Sequence, residues 1–357
     1  MRVLKWVGIV LGAVVVVAFG VFLYFKSAAQ AKLDQTYEVK VEPIPIPYPL
    51  TESEIEALRK KRSGELAAAA PAPAPGADTG SADGGVAAAP EPAQVADPLQ
   101  GVDLKALARE RALERGKHYM ASRAACMECH GADLGGKVVV DAPAMGTWVA
   151  PNISNGGVTK DYKPADWVRL IRHCVKPDGH PATMPCLDFT WFSDQELADI
   201  VTYIKNQPAV DRVMPKSTIG PVLSMLIVTD QIKLGPEELD HTAPRAKLPP
   251  RIAPTEELGK HLATTCSGCH RTDFTGGPIV GGDPKWPPAK NLTFHETGLG
   301  KWSLDDFKKA MREGIRPDGT KLDPTMPIQY TSQLKDAEIE GLYKFLQTVE
   351  KKPTAAQ

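Results

Sequence analysis

The chain has no excess of charge. Its 42 Lys and Arg stand against 43 Asp and Glu, a formal net charge of −1 over 357 residues, which leaves no basic footprint for nucleic acid. It has only six cysteines, and four of them fall in two short motifs, neither with a second Cys-x-x-Cys nearby, so the four converging ligands of a structural zinc site are missing. With one exception it lacks apolar runs long enough to cross a bilayer. The second most apolar stretch, Ile219 to Val228, is too short and too broken by Pro and Gly to do so. What it has in abundance is proline (32) and glycine (30), which points to a linker or to loop-rich domains. At 43% hydrophobic and 24% charged residues, the remainder carries enough apolar material for folded cores.

The exceptional run is Trp6 to Phe25, free of charged residues. At about 1.5 Å per residue it matches a bilayer core of about 30 Å and reads as a membrane span. Arg2 and Lys5 precede it, which favours an N-terminus left in the cytoplasm and a body exported to the other side, although Lys26 and Lys32 weaken the asymmetry. A cleaved signal peptide is the alternative, because Ala29-Gln30-Ala31 resembles a small-residue cleavage site. No cysteine follows the span closely, so nothing points to a lipid-modified end.

Residues 1–26 are therefore taken as cytoplasmic tip and anchor, and 27–63 as an extended strap (Tyr37 to Leu50) followed by a short helix with a capping box from Thr51 to Glu54. Residues 64–102, mostly Ala, Pro and Gly with hardly an aromatic or branched residue, offer too little apolar surface to offset their ordering entropy and read as a disordered, semi-stiff spacer.

The rest of the chain repeats itself. Cys126-Met127-Glu128-Cys129-His130 recurs as Cys266-Ser267-Gly268-Cys269-His270. Upstream, Gly116-Lys117-His118 matches Gly259-Lys260-His261. Downstream, Pro151-Asn152-Ile153-Ser154 matches Lys290-Asn291-Leu292-Thr293, and Thr183-Met184-Pro185 matches Thr325-Met326-Pro327. Each copy closes in an amphipathic stretch, Asp194 to Ile204 and Asp336 to Leu346, with apolar residues spaced three and four apart. The copies occupy 103–209 and 253–351, with a connection over 210–252 and a tail over 352–357.

The Cys-x-x-Cys-His spacing suits covalent haem attachment, two thiols forming thioethers while the adjacent histidine faces the iron. Met184 and Met326, the two methionines in matched positions, are expected as the opposite axial ligands, a soft thioether that closes the sixth position and raises the potential. His173 and His180 have no repeated counterparts and are expected as surface histidines. Asn152, Asn291, Arg172 and Arg312 are candidates for contacts to haem propionates, with capping or solvated roles as the alternative. Tyr162/Trp302 and Trp167/Phe307 pack on the porphyrin edge or fill the core. Gly116 and Gly259 sit where a first helix crosses closely over the last, against Tyr203 and Phe345. Cys174 and Cys186, present in the first copy alone, flank the Met184 loop and are expected to form a disulfide after export. The connection is expected to pack Ile219 to Val228 across both copies and set the distance between them.

These motifs resemble class I cytochrome c domains, and their tandem order resembles the membrane-anchored dihaem c-type cytochromes of bacterial respiratory chains. The resemblance implies an all-α fold of two tandem cytochrome c domains behind the transmembrane helix and linker. It implies two covalently attached haem c groups, with His130 and His270 as proximal and Met184 and Met326 as distal ligands. It also implies that the residue before each repeated Asn, Pro151 or Lys290, offers its carbonyl to the proximal histidine. The function implied is single-electron transfer and no catalysis, on the periplasmic side of a bacterial inner membrane. The partner would be a quinol-oxidising complex, a dehydrogenase or a terminal oxidase. A cytochrome subunit of a membrane-bound dehydrogenase is the alternative, and a dihaem peroxidase a weaker one, since that class needs an open iron.

Overall fold

A computed structural model describes residues 2–69, 97–279, 282–283 and 285–355. The spacer expected over 64–102 falls mostly on 70–96, outside the described residues. Helix α1 (Arg2–Leu33) is one unbroken rod, and its stretch Lys5–Leu33 is long and apolar enough to cross a membrane, with the side chains of Val7 to Val17 exposed. Helix α2 (Glu52–Ala69) is longer than the short helix expected and runs six residues past the boundary at 63. Its start has the expected capping box: the Thr51 amide donates to Glu54 Oε2 at 2.8 Å and the Glu54 amide to Thr51 Oγ1 at 3.2 Å.

The chain divides into two compact units, Pro49–Arg111 on one hand and Met1–Tyr48 with Ala112–Gln357 on the other. Within the first, Arg111 pairs with Glu54 at 3.0 Å. The second unit holds the second copy of the repeat and the first from Ala112 onward, the start of α3 falling in the first unit. The first copy is built from α3 (Leu104–Ser122), α4 (Cys126–His130), a hairpin of β1 (Lys137–Ala142) and β2 (Gly146–Ala150), α5 (Pro164–His173) and α6 (Asp194–Lys205). The connection carries two short helices, α7 (Pro221–Val228) and α8 (Gly235–Glu238). The second copy has α9 (Glu256–His270), α10 (Leu304–Glu313), α11 (Ile328–Thr331) and α12 (Asp336–Thr348).

Each copy has its own core. Tyr119, Met120, Trp167, Leu197 and Val201 fill the first, joined by Ile44 from the strap. Leu258, Leu262, Phe307, Ile339 and Leu342 fill the second. Burying each such side chain contributes about 1.5–3 kcal/mol. In both copies the first and last helices cross where a glycine removes the side chain. A Cβ on Gly116 would stand 2.2 Å from the Asp199 carbonyl oxygen and 2.8 Å from Tyr203 Cβ; on Gly259 it would stand 1.9 Å from the Gly341 carbonyl oxygen and 2.7 Å from Phe345 Cβ. The expected crossings over Tyr203 and Phe345 are thus present.

Two features depart from expectation. The antiparallel hairpin of β1 and β2, with a bulge between Val138 and Val140, is a small strand element in an otherwise helical chain. Helix α7 does not bridge the two copies. Leu223 and Ile227 instead bury Ala29 of α1, with Met145 beside them, and Lys32 of α1 is paired with Asp230 and donates to the Ile227 carbonyl at 3.2 Å. The reason is composition: α7 is almost wholly apolar, and α1 offers it an apolar face outside the 6–25 stretch.

Candidate haem sites

The two attachment turns are reached differently. In the second copy α9 runs without interruption from Glu256 through Cys266 and Cys269 to His270. In the first, three additional residues lie between the repeated His and the first Cys. The helix breaks at Ala125, which takes a left-handed conformation (φ 48°), before α4 restarts at Cys126. From there the copies coincide. The carbonyl of each motif histidine accepts from a glycine amide six residues on, Gly136 at 2.8 Å and Gly276 at 3.2 Å.

Each motif histidine has its Nδ1 against a backbone carbonyl: His130 to Pro151 O at 2.8 Å and His270 to Lys290 O at 2.6 Å. A neutral imidazole donating through Nδ1 keeps its lone pair on Nε2, the arrangement a metal-ligating histidine needs. Burial pushes both rings below the ordinary histidine pKa, against the opposing effect of the carbonyl bond, and so favours the neutral form. The replacement of Pro151 by Lys290 leaves this contact intact, because the carbonyl and not the side chain makes it.

Cys126 and Cys266 are half-buried, and burial pushes their thiols up to about 12; Cys129 and Cys269 are raised for the same first reason. Cys266 and Met326 pack on one core cluster. Met184 packs on a separate small cluster of Leu170, Cys174, Ala182 and Cys186. Both methionines precede a proline and a single helical turn, Cys186–Phe189 in the first copy and α11 in the second. Cys174 and Cys186 are joined in a disulfide, with Cα atoms 5.6 Å apart, so the Met184 loop is tied to the end of α5.

A haem at each turn fits the residues present. The thiols, the lone-pair nitrogen and the apolar thioether are the donor set it requires. In addition Trp167, in the cluster that carries Cys126, has a buried indole N–H without a partner among the described residues, a donor available to an acidic haem edge. Among the described residues no three His, Cys, Asp or Glu side chains converge to hold a bare ion, so a zinc reading finds no support there.

The other repeated residues do different work from that expected. Asn152 spends both amide hydrogens on the Val210 and Arg212 carbonyls (2.7 and 3.2 Å), and its Oδ1 accepts from Ser154. Asn291 Nδ2 donates to the Lys352 carbonyl at 2.8 Å. In each copy the asparagine clasps the chain that returns after the last helix, which also orders the tail as far as Ala355. Arg172 donates to Asp194 and the Phe192 carbonyl, Arg312 to Asp336 and the Ser332 carbonyl, each pinning α5 or α10 to the start of the last helix. These contacts give the four residues the capping and pinning role that was the alternative reading, while the buried Arg172 Nε has no partner among the described residues. Tyr162 and Trp167 meet edge to face in the first core, while Trp302 and Phe307 pack in the second. His180 pairs with Asp178 at the surface, but His173 is buried, stacked on His241 with Nδ1 atoms 2.9 Å apart.

Comparison with known proteins agrees with this geometry. Residues 256–350 match the family described as Cytochrome c, and residues 94–204 the family described as Cytochrome C oxidase, cbb3-type, subunit III. The chain is a c-type cytochrome with two domains. Similar proteins include the fructose dehydrogenase cytochrome subunit of Gluconobacter japonicus, 30% identical over 40% of this chain and 29% of that subunit. The cytochrome c subunit of a quinone alcohol dehydrogenase of Gluconobacter oxydans (strain 621H) is 37% identical over 24% of this chain and 20% of its own length. The gluconate 2-dehydrogenase cytochrome c subunit of Pantoea cypripedii is 35% identical over 24% and 21%. The cytochrome thus spans well under half the length of these relatives.

Sequence reasoning passed over five residues of this cytochrome. His118 Nε2 lies 2.8 Å from Glu338 Oε2, His261 Nε2 lies 2.9 Å from Glu196 Oε1, and Arg123 donates to both carboxylates. For the two histidines and two glutamates the signal was in the repeat, as the matched Gly-Lys-His and the matched glutamate three residues into each last helix, whereas Arg123 has no repeated counterpart.

Proposed function

We propose that this cytochrome carries two haem c groups, one at each Cys-x-x-Cys-His turn, and moves single electrons as the cytochrome partner of a membrane-bound dehydrogenase. Residues 6–25 span a bacterial inner membrane and the two domains lie in the periplasm. His130 and His270 are the proximal ligands, Met184 and Met326 the distal ones. The haem supplies a reversible one-electron couple. The chain's own work is to hold each imidazole neutral through Pro151 O or Lys290 O, to wall the site with apolar side chains and to keep its methionine loop closed. The observation that carries the reading is the duplicated His Nδ1 to carbonyl contact, made in matched positions beside each cysteine pair.

A full set of axial ligands leaves no place for substrate at the iron, which favours a carrier over a peroxidase. The relatives, named as dehydrogenase cytochrome subunits, favour an electron donor of that kind over other respiratory partners. Potentiometric titration of the purified protein, followed by visible and near-infrared spectra, tests this. Two low-spin haems per chain with methionine ligation are expected, and Met184→His should lower the potential of the first site markedly. A high-spin site, or peroxide turnover, would overturn the assignment.

A further inference from the structure

The two domains are joined reciprocally. Each last helix opens with a glutamate, Glu196 in α6 and Glu338 in α12, that closes its own capping box: the Ser193 amide donates to Glu196 at 2.9 Å and the Lys335 amide to Glu338 at 2.7 Å. The same carboxylates reach across to the other domain. Glu196 takes a hydrogen bond from His261, and Glu338 one from His118, the two histidines being equivalent positions of the repeat. The contact has the self-complementary form of a two-fold interface between two copies, here within one chain.

Arg123 breaks that symmetry. It belongs to the three residues by which the first copy exceeds the second, so it has no counterpart. It is buried, lies over the Tyr119 ring at 4.4 Å, and donates to Glu196 at 3.0 Å and to Glu338 at 3.3 Å. One guanidinium therefore serves two buried carboxylates from different domains. Burial alone would raise both carboxyls, but the histidine hydrogen bond and the Arg123 charge overcome it and hold both below the ordinary glutamate value.

Around this centre each attachment turn meets the other domain's turn after the methionine. Tyr330, in α11, donates to Glu128 at 2.5 Å, and Glu128 lies between Cys126 and Cys129. At the equivalent place in the other direction, Asp188 stands 3.5 Å from where a Cβ on Gly268 would be, and Gly268 lies between Cys266 and Cys269. The two sites thus face each other by the turns that hold their cysteines.

We propose that this joint makes the two domains one electron relay, with the Tyr330 to Glu128 contact as the crossing point and Arg123 as the positioning residue. The inference rests on the haem reading above. An electron leaving the ferrous site of one domain reduces the ferric site of the other; no bond forms or breaks. No proton needs to move either, since burial first, and then the Glu128 hydrogen bond and charge, hold the Tyr330 phenol protonated.

The test uses the full-length, haem-loaded protein, partly reduced, with electron exchange between the two sites followed by NMR and the potential and spectrum of each site recorded on the same samples. Nitroxides at two exposed positions, Val158→Cys and Lys309→Cys, report the spacing of the domains independently of electron transfer. Arg123→Met should broaden that spacing and slow exchange by about tenfold or more, as small misplacements do in positioned reactions, while leaving both spectra intact. Arg123→Lys should recover part of the rate, and Tyr330→Phe should slow exchange with the spacing unchanged. Exchange at the wild-type rate in Arg123→Met, or slowing that appears only with a lost or high-spin site, would overturn the proposal. If Arg123→Met does not accumulate folded, a wild-type rate in Tyr330→Phe overturns it alone. Failure of either site to take up an electron reversibly in the wild-type chain would instead remove the underlying haem reading.

Discussion

Replacing Gly259 by alanine tests the fold of the second domain with a magnitude that the structure supplies. The new methyl would fall 1.9 Å from the Gly341 carbonyl oxygen, and ordinary van der Waals contact begins near 3.4 Å, so the two helices must part by about 1.5 Å. The obstacle is backbone, so no rotamer change relieves it. Overpacking of this kind costs about 1–3 kcal/mol, and a backbone clash belongs at the upper end. Against it stands the gain of about 1 kcal/mol from removing a glycine inside a helix. The net loss is about 2 kcal/mol, a fall in the second domain's midpoint of about 10 °C for a domain of this size. Thermal unfolding followed at the haem absorbance and by circular dichroism measures it, with the first domain's transition as internal reference. An unchanged or raised midpoint would refute the close crossing, because propensity alone would then have decided the outcome.

Two further predictions concern other parts of the molecule. The disulfide closes a short loop between positions 12 apart, worth about 3 kcal/mol by loop-closure entropy. Cys174→Ala with Cys186→Ala should therefore destabilise the first domain, weaken its methionine ligation and leave the second domain's spectrum alone, and an unchanged first domain would argue against this role. The joint should be acid-sensitive. Glu196 and Glu338 have folded pKa values below their unfolded ones, so their contribution is present above the ordinary glutamate range and is lost as the pH falls below that range through the lower folded values. Interdomain spacing measured down to pH 3 should broaden there, and a spacing indifferent to acid would contradict the assignment.

The duplication made the chemistry legible. Two thiols and a histidine at fixed spacing have few other uses, and finding them twice, each with a methionine some sixty residues on, left little else to weigh. The crossing glycines followed by similar logic, because each is a requirement local to one copy, while the carbonyl partners of His130 and His270 came from the family resemblance. The hairpin at Lys137–Ala150 escaped notice because three consecutive valines show no alternation, and a bulge at that point removes what period there is. Asn152 and Arg172 were left between two readings for a different reason. Repetition shows that a residue is required in each copy but not what for, and the need here was to clasp the returning chain and to pin one helix to the next.

The joint was hidden from the repeat by its own symmetry. Aligning the copies pairs His118 with His261 and Glu196 with Glu338, the residues that are equivalent, whereas the contacts run from His118 to Glu338 and from His261 to Glu196. Equivalence and contact are different relations, and in a two-fold interface they cross. Arg123 was hidden more completely still, because it occupies an insertion and so has nothing to align with. Yet that lack of a partner in sequence matches its place in space, where one guanidinium donates to two glutamates, one from each copy. Arg123 gives Glu196 and Glu338 one charge between them, and each carboxylate adds a histidine hydrogen bond of its own, so the extra residues of the first copy complete a buried site to which the two copies otherwise contribute equally.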